Sequence, residues 1–542
     1  MIHLVNCIFK QDFAIISIDI EKGIFANIKT YADSNFNKEK LIKQILSIDN
    51  IDYINIANKN SENKKYENEF QSIKRRINDE GLSHIDIEEY FNSDFKMQEK
   101  FDRENCFFNC KGMLILPGGI DPHVHFDTPG YDFREDFSTA SASAIAGGVT
   151  TIIDMPCTSI PEVTSRKNFN EKLSIVSKMS YCDFAFFGGI CGNTVDKDDF
   201  EENISDLVSC GVKGFKAYLI SGMPSFPRLT NYQLLKAASI CKKVGKPLLL
   251  HAEDFETIDG YFKDHNNIKI LNNIDDHDKF KNIDDIKNVK NNINQRKIDL
   301  EIKAYCESRS DLAEIIAVQN AAAISEKVEN KIHIVHLSSA KAVRFIEYAK
   351  SFCKISFETA PHYLQWTNDD FYKLGSLIKT APPVKSEVDK KELRKSLENG
   401  NCLFIASDHA ACKIEEKNTG SFLKDYSGIA GVQTVFQYIL SEFLDKISLS
   451  RIIELTSENA AKFYGIYPKK GAILNGSDAD FVLVKKNEKF IFENNMLLSK
   501  MKVTPFNNFE FNHKIYAVAL RGKPAFLFGQ GIKIGKGEGK YI

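Results

Sequence analysis

Short runs dominated by Val, Ile, Leu and Phe recur through the middle of the chain, and nearly all end in a residue able to bind a metal or move a proton. Met113 to Pro117 is followed, after Gly118-Gly119-Ile120, by Asp121-Pro-His123-Val-His125; Gly211-Val-Lys-Gly-Phe leads to Lys216, Leu248-Leu-Leu to His251, Ile332-His-Ile-Val to His336, and Phe404-Ile-Ala-Ser to Asp408. Such apolar runs have the composition of strands buried on both faces. Between them, Asn231 to Val244, Asp311 to Val328 and Ala340 to Ala349 carry apolar residues at three- and four-residue spacing, which predicts helices. Strands alternating with helices form parallel βα units, and chemistry gathered repeatedly at strand C-terminal ends predicts an α/β fold of the (β/α)8 barrel type, with its site at the mouth.

The pattern changes after about residue 466. Lys470-Gly-Ala-Ile473, Gly476-Ser-Asp478-Ala-Asp480-Phe-Val-Leu-Val and Ile515-Tyr-Ala-Val-Ala-Leu are short β-runs separated by turn residues. With the first 25 residues they predict a small sheet domain built from both chain ends. Residues of about 30 to 105 and 262 to 300 are instead rich in Lys, Asn, Asp and Glu, as in Asn272-Asn273-Ile274-Asp275-Asp276. Polar tracts bury too little apolar surface for a core of their own, so both are expected to be surface insertions. The expected division is 1–30 and 466–542 in the small domain, 31–105 as an insertion, and 106–465 as the barrel, interrupted at about 262–300.

With 542 residues the chain can bury a barrel and a second, smaller domain. Its 71 basic and 73 acidic residues leave a formal charge of −2 and no field that would draw nucleic acid or an anionic membrane. No apolar run approaches about 18 residues, and Met1-Ile-His-Leu-Val-Asn-Cys lacks the basic start and cleavage site of a signal peptide, so a cytoplasmic protein is expected. The 12 cysteines are scattered, with Cys106 and Cys110 the nearest approach to a pair. They read as reduced, mostly buried small residues, not as a disulfide framework or structural zinc site.

Side chains two apart on a strand point the same way, so His123 and His125 would project together from one strand end, a metal-binding geometry. Histidines so placed also occur as surface or hydrogen-bonded core residues. Lys216 has the plain alternative of a buried salt bridge, and Asp408 that of a helix N-cap.

His-Val-His125-Phe, Gly-Phe-Lys216-Ala-Tyr, His251-Ala-Glu, Val-His336-Leu-Ser-Ser, Glu358-Thr-Ala-Pro-His362-Tyr-Leu and Ser-Asp408-His together resemble the cyclic amidohydrolases: allantoinase, hydantoinase or dihydropyrimidinase, and dihydroorotase. The resemblance covers nearly the whole chain outside the two insertions. It implies a metal-dependent (β/α)8 barrel with a β-sandwich from both termini. It also implies two divalent metals, usually zinc, sharing a hydroxide that attacks a small cyclic amide. His123, His125 and Asp408 would hold one metal and His251 and His336 the other. An ammonium has no lone pair, so Lys216 would bridge the two as a carbamate, and Asp408 would also act as general base and acid. A homo-oligomer, tetramer or dimer, is expected from the same resemblance. Ser308-Arg309, Glu358, His362 and Tyr363 fall in family motifs, although Arg309 and Glu358 could equally form a structural pair near the rim. Asn459-Ala-Ala-Lys462 reads as core-helix packing.

Departures from pattern bear on the substrate. Dihydroorotases typically place Arg, Asn and His where this chain has Asp127, Cys157 and Cys412, and those residues grip the substrate carboxylate. Losing a bidentate Arg and adding a like charge disfavours that activity. Allantoinases resemble the chain better, through Met155-Pro-Cys-Thr-Ser159, Ser407 to Cys412 and Lys502-Val-Thr-Pro505-Phe. Hydantoinases usually carry a Tyr five residues after the bridging lysine, where this chain has Ser221, which makes them the second choice. A metal-free binding scaffold is the reading from another class, and the complete ligand set argues against it.

Overall fold

The computed structural model describes residues 2–7, 15–31, 85–86, 107–110, 113–264 and 283–542. Eight parallel strands form the barrel: Gly119–Val124, Val149–Asp154, Asp183–Phe186 continued by Gly188–Gly189, Phe215–Tyr218, Leu248–His251, Ile332–Ile334, Ile355–Thr359 and Phe404–Ile405. Neighbours along the chain are neighbours in space. The ring closes where Val124 bridges His409 in parallel and the His125 amide donates to the His409 carbonyl at 2.8 Å. Ile120, Ile153, Ala185, Leu249, Val335 and Phe404 fill the interior, so the barrel is a packed core with chemistry only at its rim.

The helices sit where three-and-four spacing predicts them, at Asn231–Lys243, Asp311–Val328 and Ala340–Ala349. Local capping fixes the ends of two. Thr230 accepts from the Gln233 amide while the Gln233 side chain returns to the Thr230 amide, and Ser339 accepts from the Ala342 amide. One expectation about the first site strand needs correcting. The apolar run Met113 to Pro117 does not carry the His-x-His motif into the barrel; Leu114–Pro117 instead pairs antiparallel with Phe481–Lys485 in the small domain. The barrel strand begins only at Gly119. Between the two, the Gly118 amide donates to Asp480 and the Gly119 amide to Gly148, so consecutive residues serve different sheets. A Cβ on Gly118 would lie 2.1 Å from Thr150 Oγ1, which is why the crossing needs a glycine.

Both chain ends form the β-sandwich beside the barrel. One five-stranded sheet has the order Ile24–Tyr31, Ile15–Glu21, Ile2–Cys7, Phe107–Asn109, Ile85–Asp86; the other runs Gly531–Ile532, Lys523–Leu527, Lys514–Leu520, Phe481–Lys485, Leu114–Pro117. They meet where the Phe25 amide donates to Ser477, and those of Gly476 and Ala479 donate to Phe25 and Gly23. The sandwich is tied to the base of the barrel by buried charge. The Lys470 ammonium lies among Asp183, Asp478 (2.8 Å) and Asp480 (2.6 Å), and Arg521 also pairs with Asp183.

Most of the 31–105 segment lies outside the described residues; of its described part, Ile85–Asp86 pairs with Phe107–Asn109. The expected boundary near 300 falls inside one helix, Ile283–Ser308, whose end turns Ile302 and Tyr305 into the core. Among the described residues Cys157, Cys182, Cys191, Cys210, Cys241, Cys306, Cys353, Cys402 and Cys412 are free thiols, most of them buried, and no helix is long and apolar enough to cross a membrane. Cys106 is outside the described residues.

Candidate metal centre

The six expected ligands converge at the C-terminal mouth of the barrel, carried by the first, fourth, fifth, sixth and eighth strands or the residues just beyond them. His123 Nε2 and His125 Nε2 lie 3.2 and 3.5 Å from Asp408 Oδ1. Opposite them, His251 Nδ1 is 3.0 Å from His336 Nε2, and the His123 and His336 rings are 5.3 Å apart. Ligand atoms about 2.0–2.1 Å from one tetrahedral cation are roughly 3.3 Å from each other, so both groups have the spacing of a ligand pair. His336 and Asp408 adopt φ values of 41° and 49°, left-handed conformations that non-glycine residues hold only where the surroundings impose them.

The Lys216 ammonium is close enough to act on imidazoles of both groups, His123 in one and His251 and His336 in the other. It is fully buried, its Nζ has no hydrogen-bond partner, and it sits 4.8 Å from the Tyr218 ring centroid, so the plain alternative of a buried salt bridge is not what the geometry displays. An unpaired ammonium is costly to bury, and burial brings the Lys216 amine down to about 8. His123 Nε2 and His336 Nδ1 are likewise buried without hydrogen bonds. Burial, with neighbouring imidazoles and Lys216, holds His123 and His336 far below the ordinary imidazole range, and burial also lowers His251. Neutral imidazoles with free lone pairs are what a metal requires. His125 differs: burial opposes its protonation, but hydrogen bonds to Asp408 and Cys157 raise it to about 10, marking a place where positive charge is favoured.

Surrounding groups orient these rings. Glu358 Oε1 accepts from His123 Nδ1 at 2.5 Å, while Glu358 Oε2 is 3.3 Å from His333 Nε2 and His333 Nδ1 is 2.8 Å from Ser356 Oγ. Glu253 Oε2 accepts from His251 Nε2 at 2.9 Å and pairs with Arg309. The expected alternative of an Arg309–Glu358 pair is therefore corrected: Glu358 meets His123 and Arg309 meets Glu253 beside His251, because Glu358 points inward from the seventh strand while Glu253 follows the fifth. Carboxylate–histidine pairs of this kind fix the tautomer and strengthen the ligand. His362 lies buried with Nε2 unpartnered, and the Tyr363 hydroxyl donates to Pro382. Asn459 donates to the Leu403 carbonyl, and Ala460 and Ala461 are fully buried, a packing role.

The four weaker substrate candidates diverge. Asp127 is buried in a left-handed conformation (φ 58°) with Oδ2 lacking a hydrogen bond, and burial pushes its carboxyl well above the ordinary range. Cys157 Sγ lies 3.0 Å from the Tyr218 hydroxyl and 3.8 Å from His125 Nδ1. Cys412 is buried, its thiol pushed up to about 11 by that burial. Ser221 Oγ accepts from the Met223 amide at 3.1 Å, closing a local turn. Sequence reasoning missed His333, Glu253, Thr158 (Oγ1 3.3 Å from His125 Nδ1) and Tyr218. Strand alternation alone places Tyr218 on the same face as Lys216 and could have found it.

The profile described as Amidohydrolase family matches residues 114–525. An allantoinase of Desulfitobacterium hafniense is 32% identical over 423 residues, 77% of this chain and 86% of that protein. A dihydroorotase of Methanosphaera stadtmanae is 31% identical over 436 residues, 80% and 89% of the two chains. Among solved structures, the L-hydantoinase (dihydropyrimidinase) from Arthrobacter aurescens superposes with a TM-score of 0.76 at 23% identity, covering 100% of this chain and 99% of that one.

Proposed function

The chain belongs to the amidohydrolase family, and from that membership we propose that it opens the ring of a small cyclic amide, allantoin or a related ureide, by metal-dependent hydrolysis. The observation that carries the reading is the clustering of His123, His125 and Asp408 and the pairing of His251 with His336, together with a buried Lys216 whose Nζ has no hydrogen bond and whose charge acts on imidazoles of both sets. His123, His125 and Asp408 would hold one divalent cation, His251 and His336 the second. Lys216, as its carbamate, would offer one oxygen to each. Its amine, lowered to about 8 by burial, has a neutral fraction able to add to carbon dioxide. Zinc accepts such a mixture of nitrogen and oxygen ligands. When bound, the two cations acidify water and polarise the amide carbonyl. Asp408, at the rim, takes the proton of the attacking water and delivers it to the departing nitrogen. Glu358 and Glu253 keep His123 and His251 facing the cations.

Asp127 separates the candidate substrates. Asp127 supplies no positive charge to hold the carboxylate of dihydroorotate, and a buried carboxyl raised by burial is a suitable hydrogen-bond partner for a ureide. This weighs against the activity of the dihydroorotase relative despite its similar identity. Hydantoins are the second substrate class. Free cysteines and the near-zero net charge support a cytoplasmic protein acting on a small molecule. The polar composition of about 31–105 and 262–300 supports their reading as surface additions, and the resemblance supports a dimer or tetramer. Comparing kcat/KM of metal-loaded protein for allantoin, hydantoin, dihydrouracil and dihydroorotate tests the proposal. Allantoin is expected to lead; a dihydroorotate preference would refute the substrate assignment.

A further inference from the structure

Tyr218 is paired in register with His251 on the neighbouring strand, and its ring stacks on that imidazole at 5.2 Å and 27°. It stands two residues after Lys216, on the same face, and Lys216 Nζ lies 4.8 Å from its ring. The hydroxyl is therefore carried across the mouth from the His251 and His336 side to the His123, His125 and Asp408 side. There it meets Cys157 Sγ at 3.0 Å, itself 3.8 Å from His125 Nδ1. Either group can donate across this contact, and since a thiol is both a weak donor and a weak acceptor, the phenol hydrogen is free to turn to a better acceptor. The Ser221 hydroxyl is engaged with the Met223 amide instead.

We propose that the Tyr218 hydroxyl is the protein's hydrogen-bond donor to the carbonyl oxygen of the amide being cleaved, leaving Cys157 as substrate enters. The inference rests on the ring-opening reading above. As negative charge develops on that oxygen, a preplaced O–H strengthens its bond to it, while the ground-state amide gains less. No covalent bond forms on the tyrosine, and its proton remains on it.

Tyr218→Phe keeps the ring that stacks on His251 and removes only the donor. Metal-loaded Y218F is expected to retain its metal content while kcat falls roughly a hundredfold and KM changes little. A kcat within about threefold of wild type, or a loss of metal in proportion to activity, overturns the inference. Failure of wild type to open any of the four cyclic amides overturns the ring-opening reading instead. The structure of metal-loaded wild type soaked with hydantoin then decides for Tyr218. A ring carbonyl oxygen within about 3.2 Å of the hydroxyl is expected. Hydantoin bound with its carbonyls elsewhere, or not bound, overturns the role.

Discussion

Replacing Glu358 with Gln should weaken metal binding with little loss of fold. Glu358 is fully buried, receives the His123 Nδ1 hydrogen at 2.5 Å and faces His333 Nε2 at 3.3 Å. Gln fills the same volume but exchanges a charge-assisted hydrogen bond for a neutral one, a difference of about 1–2 kcal/mol. That corresponds to roughly five- to thirtyfold in affinity, at the lower end of the 10–100-fold typical when a partner of a metal-bound histidine is lost. The sign with pH follows from burial, which raises the Glu358 carboxyl to about 8 in the metal-free protein. Only the ionised form differs strongly from Gln, so the wild-type advantage should grow as pH rises through 8 and shrink below 7. Competition with a chromogenic chelator between pH 6.5 and 9 measures it, and circular dichroism reports on the fold. Affinities of E358Q and wild type agreeing within twofold at pH 9 would refute the orienting role.

Other consequences are equally direct. His123→Ala and Asp408→Ala should each abolish turnover while circular dichroism stays native; activity retained in both would sink the metal mechanism. The Lys216 amine, lowered to about 8, is neutral in about a tenth of metal-free molecules at pH 7 and about half at pH 8. Bicarbonate-dependent reactivation should therefore rise with pH across that window, and a flat profile would count against a carbamate. Lys470→Met removes the ammonium from buried Asp183 and Asp480 and half-buried Asp478, leaves only Arg521 on Asp183, and should cost about 3–5 kcal/mol in urea unfolding. Gly23→Ala, with φ 81° and a Cβ only 2.7 Å from the Arg521 carbonyl, should lose about 1–3 kcal/mol by the same assay.

The barrel was legible because period-2 and period-3.6 patterns record burial directly: both faces of Leu248–His251 are covered, and the Asn231–Lys243 helix is bounded by its own capping box. The clustering of the six candidate residues was legible because each ends or follows a strand, where spacing along the chain becomes proximity at one rim. What the sequence could not display depended on pairing between distant segments. Nothing in Met113 to Pro117 says that its partner is Phe481–Lys485 and not the next barrel strand, since an apolar run suits either sheet. Arg309 and Glu358 look like complementary charges until the fold places Glu253 beside Arg309 and His123 beside Glu358. The Cys157–Tyr218 contact joins residues 61 apart, and neither is a residue type that draws attention alone.

The central claim is that ring opening depends on two cations held by these six side chains. It is tested most directly by stripping the protein with a chelator and titrating zinc back in the presence of bicarbonate, while following allantoin opening and bound metal in the same samples. Activity should rise with occupancy and saturate near two ions per chain, and Lys216→Ala should fail to recover. Full turnover by the metal-free protein, or saturation at two ions with no opening of allantoin, hydantoin or dihydrouracil, would contradict it.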